Sequence, residues 1–204
     1  PEFTLLESAR PGMLHDYGGF PPHTYRVQYP APGAPELAAR VRALLGAAGI
    51  RTAGETHRGY DHGVFVPLIA MYPGAEIPVL QLSLPRLDRA ARDADGLVAL
   101  GQALAPLRSE GVLIFGSGFL THNMEYAREF DEWTEATLSA FDLAALADFP
   151  SRAPHAWTAL PTWEHYAPVL VAAGAAARGD HAASFPITGF WMDGAFTKRS
   201  VQFG

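Results

Sequence analysis

The chain has 204 residues, a formal net charge of −6, no cysteine, 49% hydrophobic and 18% charged residues. This length supports one folded domain with a sizeable core, and the acidic balance without a long Lys/Arg run speaks against nucleic acid as a partner. The missing cysteines exclude disulfides and thiolate metal sites and fit a reducing cytoplasm, and no apolar run approaches the ~20 residues of a membrane span.

Phe3-Thr4-Leu5-Leu6 reads as a strand already under way. Residues 13–35 hold five prolines, three glycines and three tyrosines, which rules out a regular helix or central strand and predicts a long ordered loop lining a site. Within that loop His15 and Asp16 precede Gly18-Gly19. Pro35-Glu36 opens a helix with Leu37, Val41, Leu44 and Leu45 on its buried face, stopped by Gly49. A strand near residues 50–55 follows. Next, Gly59 and Gly63 bracket Tyr60-Asp61-His62 ahead of a mostly apolar helix, whose exposed amides favour an anionic ligand. The competing reading makes Asp61 a plain helix cap and His62 incidental.

Residues 76–84 read as a second buried strand carried by Val79, Leu80 and Leu82, and residues 95–110 as a helix with Leu97, Leu100, Leu104 and Leu107 on one face. The apolar run Val112 to Phe115 then predicts a strand buried on both faces. It ends at Gly116-Ser117-Gly118, where the backbone can turn sharply and approach a ligand, and leads into Thr121-His122-Asn123. A polar triplet just past the C-terminal end of a buried strand is where open α/β sheets place their chemistry. Residues 125–148 are helical, with Phe130, Trp133 and Phe141 in the core. Pro161-Thr162 opens a buried helix that carries Glu164 and His165 in its first turn, a pairing that is costly without partners. The tail closes as two strands around Asp193-Gly194.

The alternation of helices and strands predicts an α/β fold, with a mostly parallel central sheet flanked by helices on both faces and a C-terminal antiparallel hairpin. Residues 1–204 are expected to form a single catalytic domain. With no cysteine to compete, the eight histidines are the metal candidates.

Several stretches coincide with one family. HDYGGFP (15–21), YPAPGAPELA (29–38), GYDHG (59–63), MYPGAEIPVLQLSL (71–84), GSGFLTHN (116–123), PTWEHYAPVLVAAGA (161–175) and SVQFG (200–204) occur in family order. On these motifs the chain resembles the class III extradiol ring-cleaving dioxygenases, in the DOPA 4,5-dioxygenase-like branch. The resemblance implies a non-haem Fe(II) enzyme that opens a catechol-type ring next to the diol with O2, acting as a monomer or small homo-oligomer, with zinc able to take the site in a purified sample.

It also implies roles, residue by residue. His165 matches the third metal ligand of this branch, with Glu164 as the fallback if a carboxylate completes the triad. His122 matches the acid–base histidine and lies near enough to count as a second ligand. His62 matches a pocket histidine that contacts the substrate hydroxyl and dioxygen, and His15 and Asp61 are expected at the pocket mouth as substrate-binding residues. The family's GHGSP-type and SAHW-type motifs, which carry two further ligands, are not in this text, which opens where the SAHW strand would end. A shorter stretch than usual lies between Asn123 and Trp133, as if a loop were missing there. Two other functions stay open on the residues: a zinc-dependent hydrolase, in which strand-end histidines activate water, and a non-catalytic catechol-binding remnant.

Overall fold

The computed structural model describes residues 3–84, 94–122, 126–194 and 196–204. The chain gathers into two compact units, Pro1–Pro85 and Arg86–Gly204.

In the first unit β1 (Phe3–Leu6) is followed by α1 (Pro35–Ala47), β2 (Thr52–Glu55), α2 (His62–Met71) and β3 (Leu82–Ser83). β1 lies in the middle of the sheet, parallel to β2 with Phe3 opposite Thr52, and antiparallel to β3 with Leu5 opposite Leu82. Arg42 of α1 ties the edge down by pairing with Glu7 and donating to the Thr52 carbonyl at 3.3 Å. The long loop is ordered as expected, and tyrosines explain why. Tyr60 and Tyr29 are buried with Leu6, Ala31 and Phe65. The Tyr29 hydroxyl donates to the Tyr72 carbonyl at 3.0 Å, and Tyr60 reaches the carbonyls of Pro32 at 3.1 Å and Val79 at 3.0 Å. Each phenol satisfies backbone that a loop would otherwise leave bare.

The second unit contains α3 (Ala94–Leu104) with a 3-10 continuation (Ala105–Glu110), α4 (Ala127–Ser139), α5 (Leu143–Ala147), α6 (Phe149–Arg152), α7 (Ala156–Ala159) and α8 (Ala167–Ala175). It ends in β4 (Ala183–Ser184), β5 (Phe190–Trp191), β6 (Phe196–Thr197) and β7 (Gln202–Phe203). α3 and α8 cross backbone to backbone at two glycines: a Cβ on Gly101 would lie 2.9 Å from Gly174 Cα and overlap the Val171 carbonyl. Phe130 is fully buried, while Trp133 and Phe141 are half-buried. The predicted terminal hairpin is present as antiparallel β5–β6, joined through Met192–Gly194, and β4 pairs antiparallel with β7.

The fold is mixed α/β, but the mostly parallel sheet is not what the described residues form. Two expected strands account for the difference. Residues 76–84 contribute only Leu82–Ser83 to the sheet, because Val79 donates its amide to Pro32 at 2.9 Å and bridges to Gly33 in the long loop. Val112 to Phe115 joins no strand among the described residues, and Leu113 and Phe115 are 62% and 45% exposed. No helix among the described residues is long and apolar enough to cross a membrane.

Candidate active site

Each unit holds one cluster of the predicted residues. In the second, the loop after Phe115 runs against the turn that precedes α8. A Cβ on Gly118 would overlap the His165 carbonyl and lie 3.3 Å from His165 Cα, and one on Gly116 would press on Pro168 at 3.1 Å. The two glycines therefore serve a close approach of backbone to the chain's own backbone.

The turn itself is built by its flanking aromatics. Trp163 packs on Phe149 at 4.9 Å and Trp157 at 5.4 Å, while Tyr166 is buried against Phe149 at 4.7 Å with its hydroxyl 3.3 Å from Thr134 Oγ1. Burial pushes the Tyr166 phenol up, so it stays protonated. The amides of Tyr166 and Ala167 both donate to the Trp163 carbonyl at 2.9 Å, and α8 begins only at Ala167. The expected first-turn position of Glu164 and His165 is thus corrected: both lie in the turn before the helix.

With the loop and the turn seated, the His122 and His165 rings meet edge to face, 4.5 Å between centroids at 70°. The His122 amide donates to the Ala159 carbonyl at 2.9 Å. An aromatic wall stands beside the pair: Phe196 meets His122 edge-on at 5.0 Å, Phe119 lies 5.9 Å from His165, and Trp191 packs on Phe196 at 6.2 Å. Glu164 accepts from the Thr162 hydroxyl at 2.7 Å. Burial alone would raise its pKa, but that bond, its own amide and the neighbouring imidazoles hold the carboxyl below the usual range. Asn123 lies outside the described residues.

The first unit places His62 at the start of α2, half exposed, with its Nδ1 2.7 Å from Asp16 Oδ1. The same oxygen accepts the His62 amide at 3.1 Å. Asp16, not Asp61, therefore satisfies that free donor at the helix start. Asp61 stands at the N-cap position without a side-chain cap bond, and its Oδ2 accepts from Gln81 at 2.6 Å and Arg58 at 2.9 Å. His15 donates from Nε2 to the Val27 carbonyl at 3.1 Å and packs among Tyr17, Tyr25 and Phe65. Asp16 is the residue that sequence reasoning passed over as a partner. Its only signal was an acid beside a histidine in a Gly/Pro-rich loop, 46 positions from the ring it holds.

Two neighbouring imidazoles are of the donor type that a divalent transition metal takes, neutral nitrogens that need no thiolate. Among the described residues no group of three or more His, Cys, Asp or Glu side chains is placed to hold an ion, so the observed donor set fits part of a coordination sphere.

A family model for the catalytic LigB subunit of aromatic ring-opening dioxygenase matches residues 1–190. The chain belongs to that family, the class III extradiol dioxygenases, whose members are metal-dependent. It is 39% identical over 202 residues to the 4,5-DOPA dioxygenase extradiol of Beta vulgaris, covering 93% of this chain and 73% of the relative. The Escherichia coli enzyme of the same name is 35% identical over 215 residues, covering 98% and 76%. The crystal structure of an uncharacterized protein from Escherichia coli K12 superposes with a TM-score of 0.78 at 29% identity, covering 100% of this chain and 81% of the other. Within the family the chain falls in the DOPA-like branch, as an extradiol ring-cleaving dioxygenase acting on an aromatic substrate with O2. Among the functions that residue types alone left open, this membership selects ring cleavage over hydrolysis.

Proposed function

We propose that the chain cleaves a catechol-type ring in the manner of its DOPA-cleaving relatives, with Fe(II) as the metal, His165 as a ligand and His122 beside it as the acid–base group. The observation that carries this is the neighbouring imidazole pair at 4.5 Å, inside a chain that matches the dioxygenase family over residues 1–190. His165 is the better ligand than Glu164, whose carboxylate is already engaged by the Thr162 hydroxyl at 2.7 Å. Bound Fe(II) would supply open positions for both diol oxygens and for O2.

The chain's own residues do the rest. The diol must lose protons to bind as catecholate, and an imidazole titrates in the right range to take one and later return it. That is the role proposed for His122. Phe196, Phe119 and Trp191 offer flat apolar faces to an aromatic ring beside the pair. In the first unit, His62 is fixed through Nδ1 by Asp16, which leaves Nε2 to hydrogen-bond a ligand oxygen. DOPA is the substrate class that the relatives' names suggest.

The test is oxygen uptake and a yellow ring-opened product on adding Fe(II) and DOPA. His122→Ala is expected to lose about a hundredfold or more in kcat. A variant that turns over at the parental rate refutes the acid–base role, and catechol binding without turnover in the parent supports the remnant reading instead.

A further inference from the structure

We infer that Thr121, Thr197, Asp131 and Arg199 form a positioning chain that fixes the His122 imidazole, an inference that rests on the ring-cleavage reading for its catalytic consequence. Two consecutive residues of β6 grip two consecutive residues of the loop. Phe196 sets its ring edge-on to His122 at 5.0 Å, and Thr197 donates its amide to Thr121 Oγ1 at 3.0 Å, both of those threonines being buried. Thr197 is anchored in turn: its hydroxyl donates to Asp131 Oδ1 at 2.6 Å and accepts the Arg199 amide at 3.1 Å. Arg199 clamps Asp131 with two bonds, Nε to Oδ1 at 2.9 Å and Nη2 to Oδ2 at 2.6 Å, and Nη2 also reaches Glu135 at 2.9 Å. The Arg199 and Asp131 side chains are only 8% and 2% exposed.

Stability alone is a poor account of this cluster. A buried ion pair loses so much solvation that an apolar replacement often does as well, and what such a pair can add is a fixed geometry. Here the geometry has an object. Residues 111–122 are in no helix or strand, and His122 itself is exposed. Its seat therefore depends on discrete ties, and the tie through Thr121 leads to a rigid, charged, buried anchor on α4. Placement errors of about 1 Å at a reacting group can cost about a hundredfold in rate.

Thr121→Val keeps the shape and removes the acceptor, while Thr121→Ser keeps the acceptor. The expected result in the 204-residue chain with Fe(II) and DOPA is a kcat loss of about tenfold or more for valine with KM within about twofold, and kcat within about twofold of the parent for serine. In metal-free, 15N-histidine-labelled protein, the His122 side-chain signal should broaden or split in the valine variant and match the parent in the serine variant. Thr197→Val and Thr197→Ser, which break or keep the link to Asp131, give the same comparison if Thr121→Val does not fold. A valine variant equal to the parent in both readouts, or a serine variant that loses as much, overturns the inference. If the parent opens no catechol ring, the functional reading fails while the imidazole spectra still decide the positioning.

Discussion

A phenol between two loop carbonyls shows how much one residue can hold. Tyr60 is buried, with its hydroxyl 3.1 Å from the Pro32 oxygen and 3.0 Å from the Val79 oxygen, and burial with Tyr29 nearby pushes its pKa up to about 12. The Pro32 oxygen also receives the Val79 amide, so Tyr60→Phe would strand mainly the Val79 carbonyl. A loss of about 1–2 kcal/mol in urea unfolding is expected. Asp16 acts at the same scale through charge. Burial opposes its ionisation, but the ring and amide of His62 outweigh that and hold its carboxyl below 3.8. A depressed carboxyl contributes stability above the unfolded value, and the contribution fades as pH falls through the folded one. Asp16→Asn should therefore flatten the loss of stability between about pH 5 and 2. Near neutrality the cost is about 0.5 kcal/mol or less, because the site is mostly solvated. Urea midpoints measured across that range check both statements, and an unchanged acid slope would remove Asp16 from the account of His62.

At the scale of elements, the close approach of loop to turn is what aims the two imidazoles. Gly118→Ala places a methyl into the His165 carbonyl, which is backbone and cannot swing aside. The loop must lift, the His122–His165 spacing must open, and ring cleavage should fall about tenfold or more while DOPA binding through other contacts changes less. Stability should drop by about 1–3 kcal/mol. A crystal structure of the variant with the spacing still near 4.5 Å would defeat the argument. The neighbouring elements divide by what a sequence can encode locally. Phe3–Leu6, the Pro35 helix, the helix after Gly59 and the terminal hairpin each carry their own stop signals and periodicity, and they stand where those signals put them. Val112 to Phe115 has the composition of a buried strand, but a strand is completed by another backbone, and composition names no partner. The start of α8 was misplaced for a related reason: Pro161-Thr162 is a sound opening signal, yet burial of Trp163 and Tyr166 holds the next residues in a turn.

For the whole molecule the site was legible as far as residue type reaches. A histidine after a glycine loop and another after a tryptophan were readable as candidates, and their rings do meet. Their supports were not, because Asp131 lies 66 positions from Thr197 and 68 from Arg199, and all three look like ordinary surface residues in the text. What the molecule holds there can be read without catalysis, by zinc as a redox-inert stand-in for iron. Ligand binding to the folded state raises stability by about 2.7 kcal/mol at a hundred times Kd. For a chain of this size that is a shift of roughly 5–10 °C in Tm. His165→Ala should abolish most of the shift. His57→Ala, which removes a ring 95% exposed in the first unit, should leave it intact. Retention of the full shift without His165 would move the metal elsewhere on the chain, and equal loss in both variants would mean that zinc binds surface histidines at large.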